Sequence, residues 1–136
     1  MNSQSARPGG EAVHYLGVDD LYNINFTVTG GQTYVRDIHL LQSAAKRPAV
    51  VVFGQEQFPT LVDKAGALLH SLSMHHLFVD GNKRTAMLAT QIFLERNGCA
   101  VAWDEDDVQA YLLEAVQARY SVVAVTDWLA EFVVCG

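Results

Sequence analysis

The stretch Ala86-Met87-Leu88-Ala89, followed by Ile92-Phe93-Leu94, is apolar on almost every side of a helix. A helix without a polar face has to be enclosed by other elements, so this one is expected at the centre of the molecule. It starts at Asn82 or Lys83 and ends near Arg96, where Asn97-Gly98 is a C-terminal stop signal. Periodicity predicts further helices before and after it. Leu21 and Ile24 mark a short one over Val18 to Asn25, and Gly30-Gly31 breaks the chain after it. Ile38, Leu41, Ala44 and Ala45 mark a second over Val35 to Lys46, ended by Pro48. Pro59-Thr60 opens a third, amphipathic through Leu61, Ala65, Leu68, Leu69 and Leu72, that runs to about Met74. Asp104 caps a fifth, with Glu105 to Asp107 at the favourable end of its dipole and Val108, Tyr111, Leu112, Ala115, Val116 and Arg119 on its face. A last helix is expected from Thr126 or Asp127 to Val133. Val50-Val51-Val52-Phe53 differs: β-branched, apolar and bounded by Pro48 and Gly54, it predicts a strand or an extended flap. The fold class is all-α, a compact helical bundle with one short β element.

The chain has 136 residues, half of them apolar, which suits one domain with a real core. Met1 to Gly10 is polar, with Arg7-Pro8-Gly9-Gly10 and no apolar signal core, so residues 1–12 are expected to be a disordered tail and 13–136 the domain. Fifteen acidic residues face nine basic ones, for a net charge of -6. That argues against direct binding of duplex nucleic acid, which calls for a basic stripe. A small anion held by a few local cations is still compatible. No apolar run approaches the roughly 18 residues that span a bilayer. Cys99 and Cys135 match neither a disulfide framework nor a zinc spacing. Cys99 reads as a small buried hydrophobe and Cys135 as exposed, with a reducing cytoplasm as the simplest compartment.

The chemistry is concentrated between the third helix and the central one. His75 to Gly81 is a loop, and Asn82 is a good N-cap. The first-turn N–H groups of a helix lack intrahelical partners and carry partial positive charge, a natural cradle for phosphate. Gly81 lets a ligand approach the backbone. Lys83 and Arg84 oppose the dipole at this position, at about 0.3–1 kcal/mol per charge, and a bound anion reverses that sign. The alternative is an ordinary solvated basic helix start. Asp80 is either a hard oxygen ligand for magnesium beside phosphates or a helix cap. His76 is either a general base, given histidine's ordinary pKa of about 6.5, or a structural histidine. Phe78 reads as the anchor that plugs the loop into the core.

The run His76-x-Phe78-x-Asp80-Gly81-Asn82-Lys83-Arg84 resembles the signature of the Fic/Doc family. The order of elements is similar from about Val18 to Phe132. The nucleotidyl-transferring branch usually has Gly between the motif Asn and Arg, and Pro after the His; this chain has Lys83 and Leu77. In that it resembles the death-on-curing (Doc) branch, toxins of type II toxin–antitoxin systems. The resemblance implies a Fic-fold protein kinase that moves the γ-phosphate of ATP to a Ser/Thr hydroxyl of a translation factor, elongation factor Tu, and so halts translation in the cytoplasm. It implies ATP as substrate and Mg2+ as cofactor. His76 becomes the base, Asp80 the residue that orients His76 or the hydroxyl and helps hold magnesium, and Gly81, Asn82, Lys83 and Arg84 the phosphate site. Val50, Val51, Val52 and Phe53 become the flap that docks the target by strand pairing, against the alternative of a buried strand or loop. Self-inhibited members carry Ser or Thr with Glu four positions on; no Ser or Thr here does. Restraint by a separate, Phd-like antitoxin is therefore expected.

Two rival functions stand beside this one: transfer of AMP to a protein hydroxyl, and a helical module that binds nucleotide or protein without turnover. A metal hydrolase built on His70, His75, His76 and Asp80 is disfavoured, because a helix sets His70 and His75 about 140° apart and the usual metal spacings are missing.

Overall fold

A computed structural model describes residues 12–136, so the tail expected over 1–12 lies, apart from Ala12, outside the described residues. Helix α1, Val18–Val28, opens with Asp19 and Asp20 in its first turn, and the Asp20 carboxylate accepts from the Gly17 N–H at 2.8 Å. Helix α2, Ile38–Lys46, starts three residues later than the periodicity suggests. Asp37 caps it by accepting from the Leu40 N–H at 3.0 Å. The residues before the cap are committed elsewhere: Arg36 donates its N–H to the Leu77 carbonyl, and the Tyr34 carbonyl accepts from Val79. A 3-10 turn over Arg47–Ala49 follows, with Pro48 buried in it.

The flap is a hairpin. Strand β1, Val51–Val52, pairs antiparallel with β2, Gln55–Glu56. Its turn residues Phe53 and Gly54 both have positive φ, 50° and 76°, as a type I′ turn requires. Val50, Val51, Val52 and Phe53 are all exposed, so the buried alternative is overturned.

Helix α3, Leu61–Met74, begins with a reciprocal capping box: the Asp63 N–H donates to Thr60 Oγ1 at 3.0 Å, and the Thr60 N–H to the Asp63 carboxylate at 3.3 Å. Helix α4, Asn82–Arg96, is the central helix. From Thr85 to Leu94 none of its residues is exposed. It packs on α1 and α3, and Leu68, Leu69 and Leu72 share a core with Ala86, Ala89, Phe93 and Leu94. Strand β3, Cys99–Val101, leads to α5, Glu105–Ala118, capped by Asp104 as expected. Arg119 is not on the face of that helix; it is the left-handed residue that ends it.

Helix α6 is Val122–Ala130, four residues earlier than expected, and β4 is Val133–Cys135. Ser121 caps α6 through the Ala124 N–H, and burial of Val125 and Leu129 outweighs the strand preference of its valines. The helix lies so close to α3 that a Cβ on Gly66 would sit 1.9 Å from Thr126 Oγ1. Trp128 stacks on Tyr111 at 3.8 Å between centroids and meets Trp103 and Phe132, so these aromatics are packing residues.

A second sheet, not foreseen, joins the ends of the C-terminal half: β3 and β4 pair antiparallel, with Cys99 opposite Cys135, and the two form a disulfide. The expectation of two free thiols is thereby corrected, and the argument for a reducing compartment that rested on it falls away. The bridge spans 36 positions. Its loss, by reduction or by Cys135→Ser, is expected to lower stability by about 3–4 kcal/mol, read as a drop in the urea midpoint. Among the described residues no helix is long and apolar enough to cross a membrane.

Candidate active site

The loop over 75–81 joins α3 to α4 and is fixed from three sides. Its backbone pairs with the segment before α2: Val35 bridges Phe78, the Arg36 N–H donates to the Leu77 carbonyl at 2.8 Å, and the Val79 N–H to the Tyr34 carbonyl at 2.9 Å. Leu77 and Phe78 are buried, so Phe78 is the expected anchor, while His76 and Asp80 on either side of this plug are exposed.

Asn82 holds the loop from inside. Its Oδ1 accepts from the Phe78 N–H at 3.0 Å and its Nδ2 donates to the Phe78 carbonyl at 2.8 Å. This corrects the reading of Asn82 as the N-cap. Gly81 occupies that position with φ of 75°, and Asn82, the first helical residue, turns its carboxamide back onto the loop. The third hold comes from α1. Buried Asn25 donates from Nδ2 to the Asp80 carbonyl at 2.8 Å and to Thr85 Oγ1 at 3.0 Å. A Cβ on Gly81 would stand 2.8 Å from Thr29 Cγ2 and 3.3 Å from Asn25 Nδ2. The glycine is required by the close approach of α1 as well as by its backbone angle.

These holds leave the helix start open. No side chain caps α4; the Asp80 carboxylate accepts instead from the Gly81 N–H at 2.8 Å. Lys83 and Arg84 stand at the positive end of the dipole, with no carboxylate paired to either among the described residues. A cleft of about 260 Å³ gathers His76, Asp80, Gly81, Asn82, Lys83 and Arg84, together with Ser73, Val79 and Gln109. Its composition suits an anion with several oxygens beside an imidazole: backbone donors, two cations, and one carboxylate that can share a hard cation with that anion.

The family model for the Fic/DOC family matches residues 12–94. The chain belongs to the Fic/DOC family. The helical bundle with its small flap is thus a Fic fold. Over 92 residues, 68% of this chain and 71% of the relative, it is 46% identical to "Toxin Doc" of Mycolicibacterium smegmatis. Over 109 residues, 80% of this chain and 85% of the relative, it is 28% identical to "Protein kinase doc" of Escherichia phage P1.

The flap of this Fic/DOC chain does not line the cleft. Val50 reaches instead a neighbouring hollow of about 380 Å³, together with Arg47, His70, Ser71 and His75. His75 and His76 are consecutive and His75 is extended, so their side chains fall on opposite sides of the loop. His70 is fully committed. Arg47 Nη1 lies 2.9 Å from its Nδ1, and the Tyr120 carbonyl 3.0 Å from its Nε2. A guanidinium only donates and a carbonyl only accepts, so the ring is neutral with its proton on Nε2. This removes His70 from any metal site, and among the described residues no group of three His, Cys, Asp or Glu could hold a metal.

Burial pushes the His70 pKa down; the bond to the Tyr120 carbonyl opposes this, and Arg47 and His75 add to it. As pH falls below histidine's ordinary value of about 6.5, the unfolded chain takes up more protons than the folded one. The contribution of His70 is therefore complete above that pH and is lost toward its lowered folded value. His70→Gln is expected to flatten the fall in unfolding free energy as pH drops below about 6.5. Equal slopes in the two proteins would count against this assignment.

Sequence reasoning missed Asn25, Ser73 and Gln109. Asn25 sits in an unremarkable helical run, and Gln109 on a helix whose register toward the loop cannot be read locally. Ser73 lines the cleft but donates its hydroxyl to the Leu69 carbonyl, so its role is local. Gln109 Nε2 is buried and has no hydrogen-bond partner among the described residues.

Proposed function

We propose that this chain is a Doc-type toxin, a kinase that transfers the γ-phosphate of ATP to a Ser or Thr hydroxyl of a translation factor, with elongation factor Tu as the candidate target. The single observation that carries the reading is the meeting of His76, Asp80 and the uncapped, cationic start of α4 in one cleft. Lys83 in place of glycine between Asn82 and Arg84 favours phosphoryl over AMP transfer, because its side chain fills space that a differently oriented triphosphate needs. The two relatives, a toxin and a protein kinase by name, point the same way.

In this reading a ring nitrogen of His76 takes the proton of the target hydroxyl as its oxygen bonds to the γ-phosphorus. The bond from that phosphorus to the β–γ bridging oxygen breaks, and ADP leaves. The first-turn N–H groups of α4, Lys83 and Arg84 hold the phosphate oxygens and offset the charge spread over them. Asp80, exposed and close to these groups, would hold magnesium, which would supply further charge neutralisation. Asn82 contributes by fixing the loop, since its carboxamide is engaged with Phe78. We place the activity in the cytoplasm, with ATP and the translation machinery, under restraint by a Phd-like antitoxin.

The test is incubation with cytoplasmic extract and ATP labelled at either the α- or the γ-phosphorus. Label from the γ position on a protein supports the kinase, and label from the α position replaces it with AMP transfer. Strong expression of the intact chain alone is expected to arrest growth. Normal growth with soluble, folded protein would sink the toxin reading.

A further inference from the structure

A hairpin of two two-residue strands is not stable by itself in water, and both faces of this flap are exposed. Something at its base has to hold it. On α3, Lys64 is only 1% exposed, although lysine is among the residues least often buried. Its ammonium donates to the Glu56 carboxylate at 3.0 Å, to the Phe58 carbonyl, and to the Pro48 carbonyl at 3.4 Å. It also stands over the Tyr15 ring, 5.8 Å from the centroid. Three donors thus meet three acceptors, which is what makes burial of the charge tolerable.

The three acceptors share one location in the fold. Pro48 lies on the stem entering β1, Glu56 is in β2, and Phe58 is on the stem leaving it. A single ammonium therefore ties both stems together and to α3. That helix ends at Met74, immediately before His75 and His76. A helix is stiff, with a rise of about 1.5 Å per residue, so fastening the flap ten residues before Met74 sets its place relative to His76. Arg47 supports the same joint: its guanidinium lies over the Phe58 ring, 5.4 Å from the centroid, and donates to Ser71 Oγ at 2.7 Å.

We infer that Lys64 is a positioning residue: it clamps the flap stems so that the exposed hairpin stands as a preformed docking edge for the protein target. The flap is a fixed ledge, not a lid. This rests on the target-docking part of the proposed function, and the experiment separates the two. Amide exchange is measured across the full chain for wild type, Lys64→Met and Glu56→Gln, with kcat and KM for the protein target and for ATP. The Gln57 N–H, which donates to the Val50 carbonyl across the stems at 3.0 Å, is the reporter. In Lys64→Met it is expected to exchange at least about tenfold faster, while α4 amides are unchanged. KM for the target is expected to rise about tenfold, with kcat and KM for ATP little affected. Glu56→Gln keeps a hydrogen-bond acceptor and alters a half-exposed group, so it should shift both readouts less, in the same direction. It carries the test if Lys64→Met fails to fold. Unchanged exchange in the folded variants overturns the clamp. Faster exchange with an unchanged target KM overturns the positioning role. If the wild type transfers no phosphate to any protein, the proposed function fails instead, and exchange alone decides the clamp.

Discussion

Replacing His76 with alanine is expected to lower γ-phosphate transfer by about 10²- to 10⁴-fold, the usual contribution of a positioned general base. The fold should tolerate the change. His76 is exposed, and the loop that carries it is held by Phe78, Asn82, the 34–36 segment and Asn25, none of which uses the imidazole. On the proposed reading affinity for ATP should change little, since the cations and helix start that line the cleft remain. This pattern discriminates between the readings. A protein that acted only by binding its target would keep its toxicity in His76→Ala, and a structural histidine would show its loss in the melting temperature. Transfer within tenfold of wild type by a folded variant would remove His76 from the chemistry.

What the sequence made legible, and what it did not, follows a physical division. The central helix was legible because its apolar residues leave no polar face, and α3 and α5 because Thr60 and Asp104 announce their starts. The gathering of the six candidate residues in one cleft was legible because they are nearly contiguous, so spacing along the chain becomes proximity. The rest depends on partners far away in sequence. The β3–β4 pairing and its disulfide join positions 36 apart, and neither strand announces the other. Helix α6 hides behind valines that locally favour a strand. Lys64 reads as one more polar residue of α3 until Pro48, Glu56 and Phe58 are folded over it. Asn82 shows a subtler limit. An asparagine at a helix start is a sound cap on local grounds, but the left-handed angle at Gly81 makes the glycine the cap and turns the asparagine back toward Phe78.

That angle supplies the other large effect. Gly81→Ala is expected to destabilise the protein by about 2–5 kcal/mol, of which about 1–2 comes from placing a Cβ at a left-handed backbone position. The rest, about 1–3 kcal/mol for a crowded core, comes from the new methyl meeting Thr29 Cγ2 at 2.8 Å and Val28 Cγ2 and Asn25 Nδ2 at 3.3 Å. None of these neighbours can swing away at no cost: Thr29 donates its hydroxyl to the Asn25 carbonyl at 2.8 Å, and Asn25 holds Asp80 and Thr85. Relief has to come from moving the start of α4 away from α1, which displaces the N–H groups, Lys83 and Arg84 together. Activity should therefore fall more than the folded fraction accounts for, in contrast to a change buried elsewhere in the core. The diagnostic companion is the double variant Gly81→Ala, Thr29→Ser, which deletes the offending methyl. It should recover the part of the loss due to the Thr29 methyl, while keeping the part due to the angle and to the looser contacts with Val28 and Asn25. If it recovers nothing, the Thr29 methyl has no part in the loss, and the angle carries the effect together with whatever Val28 and Asn25 add.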